Sequence, residues 1–205
     1  VVGSVAFDAL ETPFGKREKV LGGAATHFGL SASFFTKVNA VGVVGGDFGD
    51  DEWAVFKRHN INTDDIEIVP EGKTFFWSGR YDYDMNSAQT LDTQLNVFET
   101  FEPHLSENSK GANLLFLANI QPTLQLGVRE QCKNAEFVAM DTMNYWITST
   151  KDDLIATIAE EAERATRVLH PDEPFPPPRH RRVLTVANQK GGVGKTTSAV
   201  NLAAA

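Results

Sequence analysis

The chain has 205 residues, 41% hydrophobic and 22% charged, with a formal net charge of −8. This is ordinary globular composition, with length for one sizeable core or two small ones, and it selects no function. No apolar run approaches the roughly 18 residues of a membrane span, no basic segment leads into a signal-like apolar block, and one cysteine with five dispersed histidines gives neither an internal disulfide nor metal-ligand spacing, so a cytoplasmic protein without structural zinc is expected.

Residues 1–7 form a short apolar run ending at Asp8, and residues 38–44 form another that ends in GGDFG at 45–49. Both read as buried strands opening into turns. Between them, Gly22 and Gly23 precede residues 24–35, whose small and apolar side chains suit a helix packed closely on a sheet. Residues 50–59 read as a second, surface helix. The β-branched and aromatic stretches 66–69 and 74–83 read as strands, the latter carrying Phe75, Phe76, Trp77, Tyr81 and Tyr83. Residues 114–118, 124–134 and 137–141 read as strand, helix, strand, an alternation that argues for an α/β sheet with parallel crossovers. Ile155, Ile158, Ala159, Ala162, Thr166 and Leu169 keep a helical period, which predicts one helix over 151–169.

Asp8 after a first strand, Gly22-Gly23 before a small-residue helix, VGVVGGDFG at 41–49 and the strand at 74–83 together resemble the N-terminal half of ribokinase-like (PfkB) sugar kinases. FVAMDTMNYWI at 137–147 is similar to a central strand and turn of that family, and the resemblance runs to about residue 158. It implies an α/β fold with an incomplete ribokinase-like sheet and a β lid over residues 1–158, and ATP-dependent phosphorylation of a sugar or nucleoside hydroxyl. It also implies that Asp8 binds substrate hydroxyls and that Gly22 and Gly23 let backbone approach the sugar and act as a hinge. A carboxylate can accept two hydroxyl protons at once, which suits a polyol. His27, where the family often places asparagine, is either a sugar contact or a solvent-facing helix residue. Asn119, after a strand, either faces the sugar or caps a loop, and Asp8 itself is open to a plain turn role. The aromatic set 75–83 packs or lines a lid edge. The family's base lies in a Gly-Ala-Gly-Asp turn, which is absent here, so no catalytic residue is assigned.

Residues 159–182 form the end of the helix and a linker. Five of the nine prolines fall in 171–178, followed by RHRR at 179–182, and proline fixes φ and removes backbone donors. The basic cluster reads as a solvated face, and no nucleic-acid site is expected. The charge changes at the same place, from 12 Lys/Arg against 22 Asp/Glu over residues 1–158 to 7 against 5 over 159–205.

Residues 183–187 read as a strand, 188–195 as a phosphate loop and 196–204 as the helix after it. Glycine-rich backbone lets several N–H groups converge on an anion. In NQKGGVGKTT at 188–197, Gly191, Gly192, Val193 and Gly194 supply that backbone, Lys195 the charge at the β/γ phosphates, and Thr196, followed by Thr197, the hydroxyl directed at a metal. Lysine at 190 with a second at 195 is the deviant Walker pattern, and residues 183–205 closely resemble the start of ParA-type chromosome-partitioning ATPases. That resemblance implies ATP and Mg²⁺ as cofactors and a role for Lys190 at the nucleotide of a partner subunit, so that dimerisation accompanies binding. The strands bearing that family's magnesium aspartate and switch residues would lie beyond Ala205. The expectation is therefore two incomplete domains joined end to end, a partial sugar kinase and an isolated P-loop strand-helix unit, inactive as given. Two alternatives stand beside it: a truncated ParA-type ATPase with an unusual N-terminal extension, and a non-enzymatic interaction domain on a kinase scaffold.

Overall fold

The computed structural model describes residues 1–85 and 88–168. The elements in chain order are β1 (Ala6–Thr12), β2 (Gly15–Gly22), α1 (Ala24–Ala32), β3 (Asn39–Gly45), α2 (Asp50–Arg58), β4 (Asn62–Val69), β5 (Phe75–Tyr81), β6 (Ala88–Gln94), a 3₁₀ turn (Asn96–Thr100), α3 (Glu107–Lys110), β7 (Leu114–Leu117), α4 (Pro122–Gln131), β8 (Phe137–Met140), α5 (Asn144–Ser149) and α6 (Lys151–Val168).

The body is a parallel sheet. β3 pairs with β4 and β7 with β8, both in parallel, and Val2 bridges Val41 on one side and Leu117 on the other. The N–H of Gly3 donates to Val41 O at 3.2 Å and that of Ala118 to Val2 O at 2.8 Å, so residues 1–3 act as the middle strand between the two pairs. β3 is buried beyond its first residue and reads as a continuous apolar run, as strands covered on both faces do, whereas β4 and β8 are only partly covered. One face packs Val2, Val41, Val43, Leu115 and Leu117 against Ile120, Val128 and Cys132. The other packs Val5, Ala40 and Val44 against Ala25 of α1 and Phe56 of α2.

The run at 1–7 is thus not one strand. Its first three residues belong to the body, and the chain then crosses at Ser4 and Val5 into a second, four-stranded sheet of order β2-β1-β5-β6, in which β1 and β5 are parallel and the outer pairs antiparallel. This sheet is the expected lid, but it has four strands rather than one. β1 and β2 meet through a two-residue turn at Pro13 and Phe14, closed by the Thr12–Gly15 pair. β6 is exposed along its whole length, and β2 over Gly15–Lys19, so neither carries the apolar alternation that marks a half-buried strand.

The helices follow the sequence closely. α1 ends at Ala32, three residues before the expected end, and leaves Phe34 and Phe35 in an exposed turn. α2 begins on a capping arrangement in which the Gly49 N–H donates to Glu52 Oε2 at 2.9 Å, with acids in its first turn and Lys57 and Arg58 in its last, as the helix dipole favours. α3 and α5 are absent from the sequence reading; α5 precedes α6, which packs on α4 with the Thr157 hydroxyl donating to Pro122 O at 3.2 Å, and on α6 Leu154 is buried.

Candidate functional site

The carboxyl ends of the body strands, where parallel sheets present ligands, converge with the lid at Ser4. Its hydroxyl accepts from Ala24 N at 3.0 Å and its carbonyl from Ala25 N at 3.0 Å, which ties the N-terminus of α1 to the end of the central strand. Gly3 has no room for a side chain, because a Cβ there would come 2.8 Å from Ala118 Cβ and 3.0 Å from Ala25 N. The end of β7 and the start of α1 therefore meet over the middle of the sheet.

Asp8 lies within β1, opposite Val20 of β2 and Trp77 of β5, and not at a turn. It is half-buried and leans on Gly22, where a Cβ would stand 2.1 Å from Asp8 Oδ2. Burial pushes the Asp8 carboxyl above its ordinary value, and the nearby His27 pulls it partly back. His27 itself is exposed on α1. Gly23 has φ 96°, and a Cβ there would meet Ser4 O at 2.3 Å, so this position is closed to other residues on two counts. The structure thus brings Asp8, Gly22, Gly23 and His27 together. One helical residue before His27, the Thr26 hydroxyl is fully buried with no hydrogen-bond partner among the described residues.

Asn119 follows β7 and is not an ordinary loop cap. Trp146 Nε1 donates to its Oδ1 at 2.9 Å, and its Nδ2 stands 3.0 Å from Met143 Sδ. The loops after β7 and β8 are held by Gln125, fully buried on α4, whose Nε2 donates to Leu117 O at 3.1 Å, Ala118 O at 3.0 Å and Asp141 O at 2.8 Å. The sequence reading did not single out Gln125, Trp146 or Asp141. Asp141 carries the same signal that marked Asn119, a polar residue closing an apolar strand, whereas the role of Gln125 depends on three carbonyls brought together only by folding.

The GGDFG turn is structural. Asp47 Oδ1 accepts from Thr74 N and Thr74 Oγ1, each at 2.7 Å, and Thr74 Oγ1 accepts from Gly45 N at 3.0 Å, which locks the turn to the start of β5. A depression of about 910 Å³ lies away from these groups, with Phe28, Asn39, Leu105, Phe116 and Phe137 in its lining. Among the described residues no group of His, Cys, Asp or Glu could hold a metal ion, and no helix is long and apolar enough to cross a membrane. The phosphate loop, with Lys190, Gly191, Gly192, Val193, Gly194, Lys195, Thr196 and Thr197, lies outside the described residues.

Solved structures match most of the chain. A nucleoside kinase from Burkholderia thailandensis, solved in complex with inosine, superposes with a TM-score of 0.61 at 14% identity, over 77% of this chain and 56% of that one. The Methanocaldococcus jannaschii nucleoside kinase, described as an archaeal member of the ribokinase family, gives 0.57 at 18% identity, over 82% and 62%. A PfkB protein from Polaromonas sp. gives 0.58 at 17% identity, over 80% and 61%. The fold is ribokinase-like. The chain spans less than two thirds of the length of each of these structures. At residues 181–205 the chain matches the family model described as an AAA domain. No curated protein matches the chain in sequence.

Proposed function

We propose that residues 1–158 are the substrate-binding half of a ribokinase-type kinase, joined through 159–182 to a ParA-like nucleotide-binding start at 183–205. On this reading the 205-residue chain binds a sugar or nucleoside without phosphorylating it. The observation that carries this is the meeting of Asp8, Gly22 and the N-terminus of α1 at the carboxyl ends of the parallel sheet, beside the four-stranded lid. The Asp8 carboxyl, raised by burial and set against bare glycine backbone, has two oxygens that can each accept a hydroxyl proton. ATP and Mg²⁺ are the cofactors this reading implies, and the chain's own residues assigned to them are Lys190, Lys195 and Thr196. No base is assigned, since the chain has no Gly-Ala-Gly-Asp turn.

The test is calorimetric titration of the full chain with a panel of sugars and nucleosides, with Asp8→Ala as control. Binding that is lost in Asp8→Ala is expected. Binding that survives the substitution unchanged would remove Asp8 from the site.

A second reading rests on the family match at 181–205. It takes the chain as a P-loop ATPase in which the kinase-like body is an extension. Micromolar Mg-ATP binding abolished by Lys195→Ala, with no effect of Asp8→Ala on any ligand, would favour it. Dimerisation on ATP, through Lys190, would favour it further.

A further inference from the structure

β8 is an edge strand without the usual edge protection. Its one strand partner among the described residues is β7. The Phe137 N–H donates to Asn113 O at 3.1 Å and the Asp141 N–H to Leu117 O at 2.9 Å, both on the β7 side. Successive residues of a strand turn their N–H and C=O groups to opposite edges, so Val138 and Met140 present theirs to the open side. Native proteins blunt such an edge with charged side chains, proline or a bulge. Phe137–Met140, with the sequence FVAM and an unbroken register to β7, has none of these. Its neighbourhood is short of apolar cover as well. Phe137 is exposed, and on α6 the buried Leu154 and Thr157 are flanked by Ile155 and Ile158, which are exposed although α6 packs on α4. The apolar stripe of α6 is thus wider than α4 covers.

The chain beyond residue 168 carries a segment that fits this opening. Residues 183–187, VLTVA, are uncharged and rich in β-branched side chains, as parallel strands are, and match the four residues of β8 in length. α4 carries the chain from β7 outward to β8. α6 packs on α4 and so lies on the same face, and a right-handed crossover on that face again moves outward, to the open edge. The fourteen residues 169–182 have a reach of up to about 50 Å, ample for the return. Charge favours the contact, since residues 1–168 carry 14 Lys/Arg against 25 Asp/Glu and residues 169–205 carry 5 against 2.

We infer that residues 183–187 dock on this chain's own β8 edge as a further parallel strand, Val183 beside Phe137 and Arg182 level with the exposed Glu136. The phosphate loop at 188–195 then lies on the crest formed by the carboxyl ends of the body strands. This goes beyond the proposed function and leaves it unchanged, because three strand spacings, about 14 Å, separate the added strand from the central one, and no base is gained.

The experiment is residue-resolved amide hydrogen exchange by NMR on the full chain, at two protein concentrations about tenfold apart. Val138 and Met140 should exchange at least about 100-fold more slowly than unstructured amides at both concentrations. Thr185→Pro removes the N–H that this register aims at Val138 O. It should speed exchange at Val138 and Met140 at least about 10-fold and leave Ala139 and Asp141, whose N–H groups face β7, unchanged. Fast exchange at Val138 and Met140 in the parent chain, or slow exchange that Thr185→Pro does not alter, would overturn the inference. Equal acceleration at all four amides would also overturn it, since the loss would not belong to the open edge. Protection that disappears on dilution would replace the segment by a second copy of the chain as the occupant.

Discussion

Gly22 and Gly23 are adjacent, and the structure separates their roles. A methyl on Gly22 would strike the end of the Asp8 side chain, which can rotate away, whereas a methyl on Gly23 would strike the Ser4 backbone oxygen from a residue already at positive φ. Gly23→Ala should therefore lower stability by about 1–3 kcal/mol in denaturant unfolding, and Gly22→Ala by much less while displacing the Asp8 carboxylate and weakening ligand binding. Equal losses of stability in the two variants would contradict this division. Asp8 adds a pH signature. Its folded-state pKa is raised by burial, so between its unfolded value and that raised value the folded state holds the extra proton, and stability falls as pH rises through this window. Asp8→Asn, which removes the charge, should raise the melting temperature at neutral pH, and the gain should vanish as pH falls below the ordinary carboxylate range. A lower melting temperature at pH 7 would show that Asp8 is a stabilising residue and not a strained binding group.

At the scale of elements, the body was legible and the lid largely was not, for a physical reason. β3, β7 and β8 lie in a parallel sheet, and they stand out as apolar runs; α1, α2 and α4 show small-residue or amphipathic patterns bounded by Gly or Pro. β2 and β6 are mostly charged or polar and gain their strand geometry from pairing with β1 and β5, a cause no local pattern records. The split of residues 1–7 between two sheets was hidden likewise, since burial makes both pieces apolar. Asp8, the two glycines and Asn119 stand out in the sequence as polar or bare positions after apolar runs, although Asp8 proves to lie within β1, and Gln125 does not stand out. Gln125 nevertheless fixes how the ends of β7 and β8 sit relative to each other, since one amide nitrogen serves three carbonyls. Gln125→Ala should cost about 1–3 kcal/mol in denaturant unfolding. It should also loosen Asn119 and Asp141, visible as faster amide hydrogen exchange at residues 118 and 141, whose N–H groups bond to Val2 O and Leu117 O. A loss of stability with exchange at these two amides unchanged would leave Gln125 as core filler alone.

For the whole molecule, the question is whether two chemistries on one chain act together. Phosphoryl transfer is mostly positioning: nucleotide, metal, acceptor hydroxyl and base must be held in line, and each missing base or anion hole typically costs about 10²–10⁴-fold in rate. The ribokinase-like body fixes Asp8, Gly22 and α1 relative to one another through Ser4, and on the reading proposed above the proline-rich stretch 171–178 stands between that body and Lys195 along the sequence. The 205-residue chain should then release no ADP in a coupled assay over a panel of sugars and nucleosides, even where calorimetry shows that the ligand binds. Any ATP turnover should be indifferent to the sugar and should disappear in Lys195→Ala but not in Asp8→Ala. Sugar-dependent turnover lost in both variants would mean that the phosphate loop reaches the crest at Asp8 and that the two halves form one active site.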